Sequence, residues 1–197
     1  MTGKKKKVNT KNTPIRERIV DTAVRLFYEN GIQAVGVDKI VAEARIAKMT
    51  LYSYFASKDD LVLEYVEVIS ERWFEEFHNY LNDNCKNDRQ RLSKAFSFLK
   101  SSYNKTEQFR GHAFVNAGLE IADPKHPVHC LILDKQETLR ECFENWAYNS
   151  GLSKARPLSY ILLNLFTGAA ATAIIEDFPE PITHAENSVD RIIKTFA

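Results

Sequence analysis

Glycine and proline are scarce in this sequence, seven and six residues in 197. All-β sandwiches and barrels need a turn-forming residue at short, regular intervals, so this scarcity favours helices. Cysteine is scarcer still: Cys85, Cys130 and Cys142 form no CxxC pair, and an odd, scattered set excludes a disulfide framework and fits a reducing cytosol. Long hydrophobic runs are lacking. The longest uncharged stretch, Pro157 to Ile175, is interrupted by Ser159, Tyr160, Asn164, Thr167 and Thr172, and reads as a helix buried against protein rather than one crossing a bilayer. The basic start from Met1 to Lys7 leads into the polar residues Asn9 to Asn12, so no secretory signal is expected, and the sequon at Asn104 has no secretory context. Neither a Ser, His and Asp grouping nor a glycine-rich phosphate loop stands out, which argues against an enzyme.

What is present is an ordinary globular balance, 44% hydrophobic and 27% charged, with material for one domain or two small ones. The net charge of +1 hides an asymmetry. Residues 1–57 hold eleven Lys and Arg against five Asp and Glu, or +6, leaving −5 for residues 58–197. A basic first part joined to an acidic remainder suggests that the first meets a polyanion.

Apolar spacing and punctuation predict an all-α chain. Thr13 caps a helix that starts at Pro14, carries Ile15, Ile19, Ala23, Leu26 and Phe27 on one stripe, and stops at Asn30-Gly31. Two short helices follow at about 37–44 and 48–55, separated by a break of a few residues around Arg45-Ile46. Ser57 opens a long helix to about residue 82 with Asp59 and Asp60 in its first turn. Further helices are predicted at about 88–103, 108–121, 127–149, 156–177 and 183–196, the last with a capping box from Thr183 and Glu186. Two short helices joined by a tight turn and braced by a longer one make a helix-turn-helix arrangement.

In the second short helix, turning Leu51 and Phe55 inward leaves Lys48, Met49, Thr50, Tyr52, Ser53 and Tyr54 largely outward. That face has one cation, several hydroxyls and no carboxylate, and it suits base edges and phosphate oxygens as well as it suits a plain surface helix. The segments Val37 to Ala44, Met49 to Phe55 and Ser57 to Leu61 carry a T-L-Y-x-x-F core followed by S-K-x-x-L, and residues 14–63 resemble the DNA-binding domain of the tetracycline-repressor (TetR) family. The resemblance implies a cytoplasmic, homodimeric, all-helical transcription regulator, usually a repressor released from a palindromic operator by a small-molecule effector. It implies that Lys48, Met49, Thr50 and Ser53 face bases, and that Val37, Lys39, Tyr52, Tyr54 and Lys58 face the backbone. The chain departs from the family pattern at Arg45, where glycine is usual in the turn, and at Gly36 and Ala47, where a hydroxyl residue often caps.

Lys4 to Lys7 and Lys11 read either as a solvated tail or as an arm that follows phosphates. Residues 73–148 hold twelve aromatics, a density that core packing largely explains. Under the resemblance some line an effector pocket, and the candidates are Trp73, Phe77, Phe96, Tyr103, Phe109 and Trp146, with His112, Asn116 and Glu120 as polar anchors. His126, His129 and Cys130 have ligand spacing, but Pro127 makes this a helix start where His126 caps, so neither metal nor cofactor is assigned. The last two helices offer Leu162, Phe166, Ala169, Ala170, Ala173, Ile192, Ile193 and Phe196, which either complete the subunit core or form a dimer interface; the interface is the stronger expectation. Residues 1–57 are thus expected to bind DNA, and residues 58–197 to dimerise and sense a ligand. The rival reading makes the acidic part a protein-interaction module with no effector.

Overall fold

A computed structural model describes residues 13–105, 113–121 and 123–197, and among these residues every regular element is an α-helix. The order is α1 (Pro14–Asn30), α2 (Val37–Glu43), α3 (Lys48–Tyr54), α4 (Lys58–Asn84), α5 (Asp88–Lys105), α6 (Ala113–Glu120), α7 (Pro127–Asn149), α8 (Ala155–Glu176) and α9 (Glu180–Lys194).

Local chemistry sets most of these bounds. The Thr13 hydroxyl accepts the Arg16 N–H at 3.3 Å, Pro14 takes the first helical position, and Gly31 ends α1 at φ +87° while its N–H reaches the Phe27 carbonyl at 2.8 Å. Ser57 and Asp60 form a reciprocal capping box on α4, each bond 3.0 Å long. Neither α2 nor α3 has a side-chain cap, since Gly36 and Ala47 stand there. The turn between them bends through Arg45 at φ +52°, a left-handed conformation costing a non-glycine residue about 1 kcal/mol.

Two apolar clusters share α4. The first gathers Ile19, Ala23, Leu26 and Phe27 of α1, Ile40 of α2, Leu51 of α3 and Leu61 and Tyr65 of α4, and it continues into Ala117 of α6 and Val128 and Ile132 of α7. The second joins the far half of α4 to α5, α7, α8 and α9 around Phe77, Phe96, Phe98, Phe143 and Phe166. The Phe166 ring meets those of Phe77, Phe96 and Phe143 at 6.3, 5.3 and 5.8 Å between centroids, mostly edge to face. Trp73 packs against both clusters.

The α7–α8 contact also holds a buried charge. Arg140 donates to both carboxylate oxygens of Glu137 at 2.8 and 2.6 Å, to Glu144, and to the Ser159 hydroxyl at 2.9 Å. The two carboxylates sit closer to water, so the buried guanidinium is matched without burying a second full charge.

The final helix departs from expectation. It starts at Glu180, one turn before the expected capping box, because Pro181 fits the first turn of a helix and does not break it. The Thr183 hydroxyl bonds back to the Pro179 carbonyl, and Glu186 instead accepts from Ser97 of α5.

Six of the eight dimer candidates require a correction. Leu162, Phe166, Ala169, Ala170, Ala173 and Ile193 are buried inside the subunit, and Ile192 and Phe196 are half-buried against the same core. The reason is that α8 is apolar on more than one face, and its Leu162-Phe166-Ala170-Ala173 stripe is the one that faces the subunit core. Its other side, with Ile161, Asn164, Gly168, Thr172 and Ile175, is exposed. Part of that side forms a shallow groove with Pro181, His184 and Ser188 of α9. By length and composition α8 could also cross a membrane; here its principal apolar stripe is packed against protein.

Candidate nucleic-acid interface

Leu51 is fully buried under α3, and this orients the helix. Met49 projects with 80% of its surface exposed, Tyr52 with 41%, and Lys48 and Ser53 are exposed beside them, while Thr50 is half-buried. The Ser53 hydroxyl donates to the Thr50 carbonyl at 2.7 Å and keeps its lone pairs for a donor. The Lys48 ammonium lies 2.7 Å from Asp38 in the first turn of α2, and the carboxylate raises the lysine's affinity for its proton. Lys39 is exposed on α2, its ammonium 3.4 Å from the Asn30 side-chain oxygen.

Three residues expected at the DNA backbone make contacts within the subunit. Lys58 turns inward: its ammonium donates to the Ile32 carbonyl at 2.7 Å and lies 5.9 Å from the centre of the Phe27 ring, and burial lowers its pKa. The α1–α2 loop leaves that carbonyl without a helical partner, and Lys58 supplies one. Tyr54 is half-buried against the N-terminal core, and its phenol oxygen accepts from the Thr13 hydroxyl at 3.1 Å. Val37 is half-buried against the same core.

The pocket candidates separate as well. Phe77 and Phe96 have no accessible surface, so not even a water-sized gap touches either ring, and Trp146 is only 6% exposed. They fill the core; they do not line an open cavity. Trp73 and Tyr103 lie half-buried at the edge of that core. Asn116 lines a cleft against the end of α1 with Tyr28, Tyr65 and Leu119. Phe109, His112 and the Lys4 to Lys7 arm with Lys11 lie outside the described residues.

Glu120 lines the same cleft as Asn116 and also holds the α1–α2 loop. Its carboxylate accepts the Gln33 backbone N–H at 3.1 Å. It approaches Gly31 so closely that a Cβ there would sit 3.1 Å from Oε2, and φ +87° would strain any side chain at that position. Beside it, His126 caps α7 through Nδ1, which accepts the Val128 N–H at 3.2 Å, and its Nε2 lies 3.4 Å from Asp59. The end of α6, the start of α7 and the start of α4 therefore meet the α1–α2 loop in one cleft, lined by Ile32, Gln33, Lys58, Asp59, Val62, Glu120, Ile121, Asp123 and His126. Asp38 and Gln33 are contributors that sequence reasoning missed. Opposite charges in the first turns of two adjacent short helices signal the first, whereas a backbone N–H has no sequence signal.

A short, buried-side-down α3 with an exposed cation, thioether, phenol and hydroxyl, braced by α1 and α2, defines a DNA-binding protein of the helix-turn-helix class. Residues 19–65 match the model for bacterial regulatory proteins of the tetR family. A TetR-family transcriptional regulator from Streptomyces coelicolor superposes with a TM-score of 0.84 at 28% identity, over 92% of this chain and 95% of that one. The transcriptional regulator LmrA of Bacillus subtilis is 21% identical over 91% of this chain and 96% of its own length. QacR of Staphylococcus aureus is 29% identical over 40% of this chain and 41% of its own. Residues 19–65 thus carry a TetR-family DNA-binding domain, and the chain as a whole has the fold of a TetR-family transcriptional regulator.

Proposed function

We propose that the protein is a homodimeric, cytoplasmic repressor that holds a palindromic operator and leaves it when a small molecule binds the C-terminal part. The observation that supports DNA reading by α3 is its exposed face: Lys48, Met49, Tyr52 and Ser53 with Thr50 at the edge, and no carboxylate of its own. Lys39 serves the backbone. Residues 1–57 carry the DNA contacts, and residues 58–197 dimerise and sense. The dimer forms through the exposed side of α8 and α9 with Ile161, Gly168 and Thr172, which suits a second copy because small residues let helices approach.

The effector acts near Trp73 and Tyr103. Trp73 belongs to both apolar clusters, so a molecule pressed beside it shifts α4 relative to the DNA-binding helices. From Lys58 to Trp73 the helix is a lever of about 22 Å at 1.5 Å per residue, and two recognition helices must stay about 34 Å apart to enter successive major grooves. Ligand and operator then oppose one another with a coupling of about 1–3 kcal/mol.

Selection from a random duplex library tests this reading. The expected result is enrichment of a two-fold symmetric sequence bound by two chains. Compounds that raise the melting temperature and quench Trp73 fluorescence are then expected to weaken that binding at least fivefold. Absence of any enriched sequence overturns the DNA reading. Compounds that bind near Trp73 without changing operator affinity overturn the effector reading and favour the interaction module.

A further inference from the structure

Lys48 is the only cation on α3, the first residue of the helix, and its ammonium is held 2.7 Å from Asp38 of α2. The two side chains are 53% and 82% exposed, so the pair adds little to folding stability. Its consequence lies in where the charge sits. An ammonium has three donors, and Asp38 occupies one, leaving two that can meet a base edge such as the O6 and N7 acceptors of guanine. Pairing also restricts a side chain with four rotatable bonds, so less freedom remains to be lost on binding. Finally, the carboxylate cancels the positive charge that α3 would bring to any phosphate, whatever the sequence.

Resting on the reading of α3 as the recognition helix, we propose that Asp38 is a specificity-determining residue. It positions the Lys48 ammonium for a base, and it suppresses sequence-independent binding by denying that ammonium to phosphates. Asp38 makes this contribution without being a base contact itself.

The test uses the full chain, a duplex selected by the wild-type protein and a shuffled duplex of the same composition. Asp38→Asn keeps the size and removes the charge. It is expected to tighten binding to the shuffled duplex severalfold at low salt and to steepen the salt dependence by about 0.9 per subunit, as one new phosphate contact does. The ratio of selected to shuffled affinity is expected to fall about tenfold, the size of one lost base contact. Asp38→Glu restores the charge, and with it the wild-type salt slope and most of the selectivity. In a Lys48→Met background, Asp38→Asn is expected to change selectivity by less than twofold. Unchanged slope and selectivity in Asp38→Asn overturn the proposal. Equal weakening on both duplexes also overturns it, because Asp38 would then serve only the shape of the motif. Absence of selectivity in the wild type overturns the recognition-helix reading on which the proposal stands.

Discussion

Replacing Lys58 with methionine separates two accounts of one residue. If the lysine served a phosphate, its loss would leave the fold intact and flatten the salt dependence of DNA binding by about 0.9 per subunit, or about 1.8 for two. In the structure its ammonium satisfies the Ile32 carbonyl at 2.7 Å and lies 5.9 Å from the Phe27 ring centre. A hydrogen bond from a charged donor is worth about 1.5–3 kcal/mol when protected from water, and Lys58 is only half-buried, which reduces that figure. The contact with the ring adds about 0.5 kcal/mol at this distance, and relief of the ammonium's desolvation works in the opposite direction. Methionine keeps most of the packing. The expected loss is about 1–2 kcal/mol, or about 3–6 °C in melting temperature for a chain of this length. Calorimetry supplies the melting temperature, and anisotropy with a labelled duplex across about 50–200 mM salt supplies the slope. A clear drop in melting temperature with an unchanged slope supports the inward lysine. An unchanged melting temperature with a slope flatter by about 1.8 refutes the structural argument and returns Lys58 to the DNA backbone.

Gly168 and Ala170 are two residues apart on α8, and glutamate is expected to act differently at each. A Cβ at Gly168 would meet nothing within 4 Å, so Gly168→Glu yields a helical monomer by light scattering and circular dichroism. Ala170 is 2% exposed, so Ala170→Glu buries an unpaired carboxylate and loses the fold; a folded Ala170→Glu dimer refutes the assignment of faces. Ala47→Ser supplies the missing cap at a residue that already has the extended conformation a cap requires, φ −77° and ψ 148°. A gain of about 1 kcal/mol, seen as a rise of about 2–4 °C, is expected, and no change means the end of α3 needs no acceptor. Arg140 holds the Glu137 carboxyl below its ordinary pKa of 4.5, so that pair stabilises the fold above pH 4.5 and is lost as pH falls through the lower folded value. Arg140→Met is expected to cost about 2 kcal/mol at neutral pH, since two partly exposed carboxylates remain. Urea titrations are expected to show the gap to wild type narrowing below pH 4.5, and a gap constant with pH refutes the pairing.

The sequence and the structure agree where a signal is local. Thr13, Pro14 and Ser57 start helices because a side-chain oxygen or a missing N–H acts within one turn, and α7 runs from Pro127 to Asn149 as spacing and punctuation predicted. Arg45 takes the left-handed conformation that the tightness of the turn demands. Agreement fails where two apolar faces compete or where partners are distant in the chain. Periodicity shows that α8 is apolar on several sides but carries no information on which side meets α7. Lys58 and Ile32 lie 26 positions apart and Glu120 and Gln33 lie 87 apart, and in each pair one partner is a backbone group that every residue possesses. Periodicity places Lys58 and Glu120 on helices; only the tertiary fold turns them onto the α1–α2 loop.

For the coupling proposed between effector and operator, that loop adds a mechanics that α4 alone does not supply. Lys58 of α4 holds Ile32, Glu120 of α6 holds Gln33, and His126 at the start of α7 meets Asp59. The Glu120 and His126 contacts are at or near the surface and worth about 1 kcal/mol or less each, and the half-buried Lys58 contact is worth about 1–2 kcal/mol. A rigid lever would transmit any tilt of α4 regardless of its neighbours, whereas several weak contacts hold one arrangement until enough of them are lost together. Their combined strength is of the same order as the coupling of about 1–3 kcal/mol proposed between effector and operator. Stronger clamps would fix α3 in place whether or not an effector were bound, and weaker ones would let it wander without one. On this argument Glu120→Ala is expected to leave apo operator affinity within about threefold and to reduce the effector's influence on it, because α6 then moves without drawing Gln33 along. The contrast with Lys58→Met lies in stability: Gln33 is exposed, its freed N–H is taken up by water, and the melting temperature is expected to fall by no more than about 2 °C. If Glu120→Ala binds the operator normally and the effector still releases it with full strength, the loop contacts are passive and α4 carries the coupling by itself.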